Sequence, residues 1–494
     1  MERPISAPML DLVTTYWPHI VFTLSVVMGA TAAIHAAMTK EEVRSAIGWV
    51  GVILLSPIIG ALLYLIAGIN RIRRSAIGNQ RSRLGEAFLD HLETYDATDT
   101  MVASQFGRRF LAMKTLGDRV TRYFLTTGNS VQVLEGGDAA YGAMLEAIES
   151  ARRSIILETY IFDRDRIGRR FAQALIDAAK RGVSVRVLVD AVGARYSVPS
   201  VLGMLRDGGV TVDVFNGNVI VGLRLPYANL RTHRKIMVVD GAIAFTGGIN
   251  IREAFSHEIA GDDHAMDTHF RMTGPIVADL LSVAAEDWRF SNGETLSGPA
   301  WQIEPPVSEP GSAVYVRTVA SGPDRSLETN HKMLMGAFSV ARSSIRIVSP
   351  YFLPDRELIS SLATAARRGV AVDIVVPASN NLTLVDRAMT AQFDQILKGD
   401  CRLWRASGPF NHSKLMVVDG RWAYVGSSNM DPRSLRLNFE VDMEIFDIEL
   451  AARLEERIER MLTKAAPVTM EDWRARPFLA RLFDRILWLG SPYL

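Results

Sequence analysis

Two stretches of the chain, HRKIMVVDGAIAFTGGIN (His233–Asn250) and HSKLMVVDGRWAYVGSSN (His412–Asn429), align without a gap at a constant offset of 179 residues. Each holds two short apolar runs joined by Asp-Gly, the signal of a tight β-hairpin. Moving outward, Ala178–Asp190 (AAKRGVSVRVLVD) matches Ala365–Pro377 (AARRGVAVDIVVP) at an offset of 187, and the segments opening at Ala151 (ARRSIILETYIF) and Ala341 (ARSSIRIVSPYF) match at 190. An offset that drifts while the matched segments stay ungapped means that insertions fell in loops between fixed elements. The chain is therefore a duplication.

Within each repeat, β-branched runs such as SIILETYIF, VSVRVLVDA and KIMVVD alternate with amphipathic stretches such as Arg170–Arg181, which predicts α/β halves. The expected architecture is two tandem α/β domains, each a mixed sheet flanked by helices, related by a pseudo-two-fold that brings equivalent residues to a shared interface. The halves are placed at residues 120–300 and 310–465, with the Pro-rich stretch Gly298–Gly311 connecting them and an amphipathic tail at 470–494.

The chemistry is carried by His-x-Lys followed by Asp: His233, Lys235 and Asp240, then His412, Lys414 and Asp419. Residues two apart on a strand share a face, so each His and Lys can look into one cleft. A single His-x-Lys is weak, because a histidine beside a strand is more often structural. Two in register form one constellation of paired imidazoles and ammonium groups. Asn250 and Asn429, which close Gly247-Gly248-Ile249-Asn250 and Gly426-Ser427-Ser428-Asn429, can donate to phosphate oxygens beside Lys235 and Lys414. Asp240 and Asp419 complete the catalytic set, although an Asp before Gly equally suits a hairpin that merely holds the motif. Asp267 and Glu440, 34 and 28 residues after their histidines, occupy corresponding places and are the candidates for orienting the imidazoles. His257, His264 and His269 cluster with Asp262 and Asp263, but their spacing fits no standard zinc pattern, and no metal or other cofactor is expected.

The 494 residues carry 55 Lys+Arg against 54 Asp+Glu, a net charge of +1, which gives no basic field for nucleic acid. One cysteine, Cys401, excludes a disulfide-stapled scaffold. Mean hydropathy is +0.11, high for a wholly soluble chain, and two windows explain it. Leu12–Thr39 and Ser45–Asn70 contain no Asp, Glu, Lys or Arg, each longer than the about 20 residues that cross a bilayer. A pair of transmembrane helices in residues 1–75 is expected, the second (GWVGVILLSPIIGALLYLIAGIN) the stronger. Arg71, Arg73, Arg74, Arg81 and Arg83 then put the body on the cytoplasmic side. In the tail, Phe478, Leu482, Phe483, Ile486 and Leu487 fall at helical spacing with Arg481 and Arg485 opposite, which suits either a bilayer surface or packing onto the body.

The doubled H-x-K-x4-D motif resembles that of the phospholipase D superfamily, and more narrowly the chain is similar to its bacterial cardiolipin synthases. The shared segments are THRKIMVVDG with TGGIN, DTHFRMTGPIV followed by Asp287-Trp288, SPYFLP at Ser349–Pro354, and NHSKLMVVDG with GSSNMDPRS. Phe255 and Met266 depart from the pattern, where an acidic-Tyr pair and an Arg are common. The resemblance implies phospholipase D-like domains at the bacterial inner membrane and metal-independent phosphatidyl transfer through a phosphohistidine, with His233 as nucleophile and His412 as acid. It implies phosphatidylglycerol as substrate, giving cardiolipin and glycerol. Phospholipid hydrolysis to phosphatidic acid and use of phosphatidylethanolamine as co-substrate are the alternatives, and oligomeric state is left open.

Overall fold

The computed structural model describes residues 7–40, 42–68, 93–216, 230–304, 314–324 and 326–491. The arginine cluster at 71–83 lies outside them, as does part of the Pro-rich connection. The chain divides into two compact units, Met1–Ile72 and Arg73–Leu494.

The first unit is helical. Ala7–Thr39 forms one continuous helix, and its Thr15–Thr39 portion is long and apolar enough to cross a membrane. The second apolar window, expected to be the stronger span, is instead broken into Val43–Leu55 and Pro57–Leu63, the latter continuing as a π-turn over Tyr64–Gly68. Pro57 has no N–H to offer the preceding turn, so the helix ends at Ser56. Only one described helix therefore meets the length of a span by itself. The pieces fold against the long helix through close approaches that small residues permit: a Cβ on Gly29 would meet Pro57 at 2.8 Å. His35 Nδ1 and the Tyr64 hydroxyl lie 2.8 Å apart in a hydrogen bond, and Trp49 meets the Tyr64 ring edge-on.

The second unit is α/β. Its first half contributes β1 (Thr126–Glu135), β2 (Ser154–Thr159), β3 (Ser184–Asp190), β4 (Thr211–Phe215), β5 (Arg231–Thr232), β6 (Ile236–Val239), β7 (Ile243–Gly247) and β8 (Thr268–Thr273). The second contributes β9 (Val314–Ser321), β10 (Ser344–Val348), β11 (Ala371–Pro377), β12 (Arg402–Ala406), β13 (Leu415–Val418), β14 (Trp422–Gly426), β15 (Asn438–Phe446) and β16 (Ala465–Pro467). Fifteen of them form one continuous sheet in the order β16-β12-β11-β10-β13-β14-β15-β9-β1-β8-β7-β6-β2-β3-β4, with β5 pairing onto β15. Read outward from the antiparallel β1–β9 pair, the halves repeat the same order, three antiparallel partners and then three parallel strands, with β16 added antiparallel at the edge of the second half. The duplication seen in sequence is thus a pseudo-two-fold across one sheet.

Helices cover the sheet because their apolar stripes face it. Arg166–Lys180 and its counterpart Arg356–Arg367 start at equivalent caps, where Asp165 and Asp355 accept from Gly168 N and Leu358 N at 2.8 and 3.0 Å. Each half keeps its own core, one built on Phe162, Phe171 and Phe245, the other on Phe338, Phe352 and Trp422. The helices Asp99–Phe106 and Arg108–Val120 precede β1 yet pack Phe106 and Phe110 into the second half's core. The two cores are consequently tied by chain as well as by sheet.

Candidate active site

β6–β7 and β13–β14 are the predicted hairpins, and both turn through Asp-Gly in the left-handed region: φ is 53° and 61° at Asp240-Gly241, and 53° and 60° at Asp419-Gly420. These aspartates do not reach the histidines, a correction to their place in the catalytic set. They sit at the opposite end of the strands from His233 and His412. Asp240 accepts from the backbone N–H groups of Arg152, Arg153 and Ser154 at 2.7–2.9 Å. Asp419 takes the same role with Arg342, Ser343 and Ser344, and Arg109 pairs with it. An Asp held by three backbone N–H donors fixes the turn, and neither Asp240 nor Asp419 lines the cleft of the histidines.

The histidines are set just ahead of β6 and β13 and face one cleft of about 510 Å³, also lined by Asn250, Asn429, Tyr160 and Tyr351. Their carboxylates come from across the pseudo-two-fold. His233 Nδ1 is 2.9 Å from Glu440 Oε2, and His412 Nδ1 is 2.8 Å from Asp267 Oδ2. The cause is in the backbone: His233 N–H donates to Phe439 O at 2.9 Å and His412 N–H to Met266 O at 2.7 Å, each carbonyl belonging to the residue just before the acid. Each half therefore supplies the imidazole for one pair and the carboxylate for the other. Pairing inside a repeat, which the chain spacing suggests, does not occur.

Both acids are buried and multiply held. Glu440 also accepts from Ser427 Oγ at 2.6 Å and Asn438 Nδ2 at 3.2 Å, and Asp267 from Thr268 N at 2.6 Å. Gly248, the counterpart of Ser427, leaves the room that Asp267 needs, since a Cβ there would lie 2.4 Å from its oxygens. Burial would raise both carboxylates, yet Lys414 and His412 at Asp267, and His233 and Lys235 at Glu440, hold them below their ordinary values. They stay anionic.

The imidazoles are lowered as well, which for them favours the neutral form. Burial, partly offset by Glu440 and reinforced by Lys235, lowers His233, while burial and Lys414 lower His412 to about 4. Lys235 and Lys414 are themselves lowered by burial to about 7 and about 8. Their ammonium groups fold back onto the motif. Lys235 Nζ donates to His233 O at 2.6 Å, whereas Lys414 Nζ donates to His412 O and lies 2.9 and 3.1 Å from the two ring nitrogens. Asn250 Oδ1 accepts from Ile161 N at 3.1 Å, and Asn429 Oδ1 is buried without a hydrogen-bond partner among the described residues. The departures Phe255 and Met266 both belong to the His412 side, Phe255 with its ring 5.9 Å from the imidazole.

Several groups at the site lie in or beside the quoted segments, which by themselves give them no role. Tyr160 and Tyr351 meet the edges of His233 and His412 at 5.1 and 6.0 Å, and Arg231, Arg252 and Arg433 line the cleft. Tyr160, Tyr351 and Arg433 stand inside the repeat and shared segments ARRSIILETYIF, SPYFLP and GSSNMDPRS, which is the signal available for them. Among the described residues no three or more His, Cys, Asp or Glu side chains are grouped to hold a metal ion. His257 and His264 meet ring to ring at 4.8 Å, while His269 is buried and pushed down to about 4 by that burial.

The family model described as "Cardiolipin synthase, PLD-like domain" matches residues 144–258 and 334–462, once in each half. Cardiolipin synthase A of Pseudomonas fluorescens is 31% identical, over 97% of this chain and 99% of that one. The chain belongs to the cardiolipin synthase family. The family member from Geobacillus sp. (strain WCH70) is also 31% identical, over 99% of this chain and 97% of its own length, and that of Pseudomonas aeruginosa PAO1 is 33% identical over 95% and 94%. A second model, "Phospholipase_D-nuclease N-terminal", matches residues 28–68 of the helical unit. The phosphatidylserine synthase of Haemophilus influenzae Rd KW20 shares the fold, with a TM-score of 0.58 at 17% identity, over 78% of this chain and all of that one.

Proposed function

We propose that this protein is a membrane-bound phosphatidyltransferase that condenses two phosphatidylglycerol molecules into cardiolipin and glycerol through a phosphohistidine. The observation that carries the reading is the convergence of two imidazoles on one cleft, each backed by a buried carboxylate from the other half. His233 is the nucleophile: its ring nitrogen forms the bond to phosphorus as the P–O bond to glycerol breaks, and His412 as imidazolium gives the leaving oxygen its proton. In the second step His412, now neutral, takes the proton from the hydroxyl of the second phosphatidylglycerol, whose oxygen displaces His233. His412 ends as imidazolium, as it began. Lys235, Lys414, Asn250 and Asn429 donate to the equatorial oxygens, and Glu440 and Asp267 hold the rings and stabilise their charged forms. No nucleotide or metal enters this balance, because one phosphodiester is exchanged for another.

The halves differ in detail: Lys414 lies against both ring nitrogens of His412, while Lys235 donates to the carbonyl of His233 and lies over the Tyr160 ring. In this reading residues 1–75 anchor the chain through two crossing segments, the second made of the pieces on either side of Pro57. The domains at 120–300 and 310–465 with the tail at 470–494 face the cytoplasm of a bacterial inner membrane, on the side of the arginines at 71–83.

The test is turnover of phosphatidylglycerol alone in mixed micelles with chelator present, following cardiolipin, glycerol and phosphatidic acid. Cardiolipin with stoichiometric glycerol is expected, lost in both His233→Ala and His412→Ala. Phosphatidic acid as the main product would make the protein a hydrolase, and turnover only with phosphatidylethanolamine added would change the co-substrate. A trapped phosphoryl label on His412 would reverse the two roles.

A further inference from the structure

The terminal helix Phe478–Leu489 is mounted with its polar side inward. Asp484 is fully buried and pairs with Arg476 and Arg387, and Arg485 donates to Asp394 at 2.8 Å, so its ion pairs point at the body. Leu487 and Trp488 complete that contact by packing on the second core. What faces outward is apolar: Phe478, Leu479, Leu482, Phe483, Ile486 and Leu489 are each 44–74% exposed. At 100° per residue they fall within one arc of about 140°. A helix on a water-facing surface carries the opposite arrangement, and a continuous apolar stripe of this kind marks a contact with a nonpolar partner.

The stripe leads to the active site. The helix packs antiparallel on Thr383–Leu397, Asp484 meeting Arg387, and Ser491 just beyond its end lines the same cleft as His233 and His412. Leu382 lines that cleft too, and it and Leu384 are about half exposed at the start of the neighbouring helix. An apolar surface therefore runs from Phe478 to the rim of the cleft. A second copy of the chain seated on it would cover that rim and bar a lipid from entering. A bilayer seated on it would bring the cleft to the level where lipid headgroups stand.

We infer that the outward face of Phe478–Leu489, with the Leu382–Leu384 rim, docks on the lipid surface and sets the cleft mouth against it. The inference rests on the phosphatidyltransferase reading only for what passes into the cleft. Docking itself is measured independently of turnover. In the full chain reconstituted into phosphatidylcholine–phosphatidylglycerol vesicles, Phe483→Cys carries an environment-sensitive NBD label, Cys401 being buried and its thiol pushed up to about 12. Its emission should shift to the blue and be quenched by lipids spin-labelled on the acyl chain. A label at Gln173→Cys, exposed on Arg166–Lys180, should do neither.

A second arm uses the surface variant Leu482→Ser/Phe483→Ser. Turnover of vesicle phosphatidylglycerol should fall about tenfold or more as this apolar contact is lost, while turnover of dihexanoyl phosphatidylglycerol below its micelle concentration stays within about twofold. A water-exposed, unquenched label together with unchanged vesicle turnover overturns the inference. So does an unquenched label in a protein whose mass halves when the variant is made, which would give the face to a second copy. Absence of turnover on both substrates by the unmodified protein, with the label quenched, would instead sink the transferase reading and leave the docking intact.

Discussion

Asp267 faces Lys414 and His412 at once, and its charge decides what His412 can do. With Asp267 anionic, the imidazolium of His412 has a partner at 2.8 Å, opposing the burial and the Lys414 charge that lower it to about 4. Asp267→Asn keeps the shape and removes that opposition, so the proton on His412 is held less tightly and kcat should fall by about 10²–10⁴. The pH dependence follows the same sign. A general acid works only while protonated, and a lowered pKa moves the alkaline descent to lower pH. In the empty site His412 lacks the negative phosphodiester, which on binding favours the imidazolium. The alkaline limb of kcat/KM, which reads the free enzyme, should therefore lie at lower pH than that of kcat. Initial rates from about pH 4 through the neutral range in wild type and Asp267→Asn check both statements. Arg433 makes a different kind of claim. Arg252 and Arg231 are held by Asp163 and Asp190 at 3.1 and 3.9 Å, and Arg433 is the third guanidinium of the cleft. Arg433→Ala should raise the KM for an anionic acceptor by about tenfold or more and shift product toward phosphatidic acid. An unchanged ratio of cardiolipin to phosphatidic acid would remove Arg433 from acceptor recognition.

At the scale of elements, the crossed pairing is the property most open to measurement. Double-mutant cycles on stability in detergent should give about 0.5–3 kcal/mol of coupling for His233 with Glu440 and for His412 with Asp267, and near zero for the within-repeat pairs. The hairpin aspartates should separate cleanly from these. Asp240→Ala or Asp419→Ala strips three N–H donors of their acceptor, at about 1–3 kcal/mol of stability, while activity per folded molecule stays near wild type. A melting curve and an active-site titration decide it. These cases also mark what the sequence could tell. The hairpins and the amphipathic helices follow from local periodicity, because strand and helix geometry act over a few residues. The His and Lys expected to share a strand face instead lie just ahead of β6 and β13, and of these only the histidines line the cleft. The partner of each histidine does not follow from periodicity either, because it depends on β15 lying beside β9 and on β5 joining β15 from the other half. Spacing along the chain pointed inside the repeat; the hydrogen bonds from His233 N and His412 N cross it. Asp240 and Asp419 were legible as turn formers from the Gly that follows, yet the motif's shared letters drew them into the chemistry. The break at Pro57 was likewise written in the chain, as a residue without an N–H inside an apolar run.

For the whole molecule, the division into two units separates chemistry from attachment. Every catalytic candidate and both large cores lie within Arg73–Leu494, so that unit holds all that the transfer requires and should fold without Met1–Ile72. Turnover of monomeric dihexanoyl phosphatidylglycerol by the truncated body should match the full chain within about twofold. On vesicles the outcome differs, since the anchor converts each encounter with lipid into an intramolecular one. Its removal should lower vesicle turnover at low lipid by about 10²-fold or more, and the loss should close as lipid concentration rises. The residual binding then belongs to the apolar face of Phe478–Leu489, for which co-sedimentation with vesicles is the direct measure. Adding Leu482→Ser/Phe483→Ser to the truncated body should abolish it, whereas in the full chain the same pair slows turnover and leaves the protein in the membrane. If the truncated body lost turnover on the monomeric substrate as well, the helical unit would have to take part in the chemistry, and the separation of the two roles would fail.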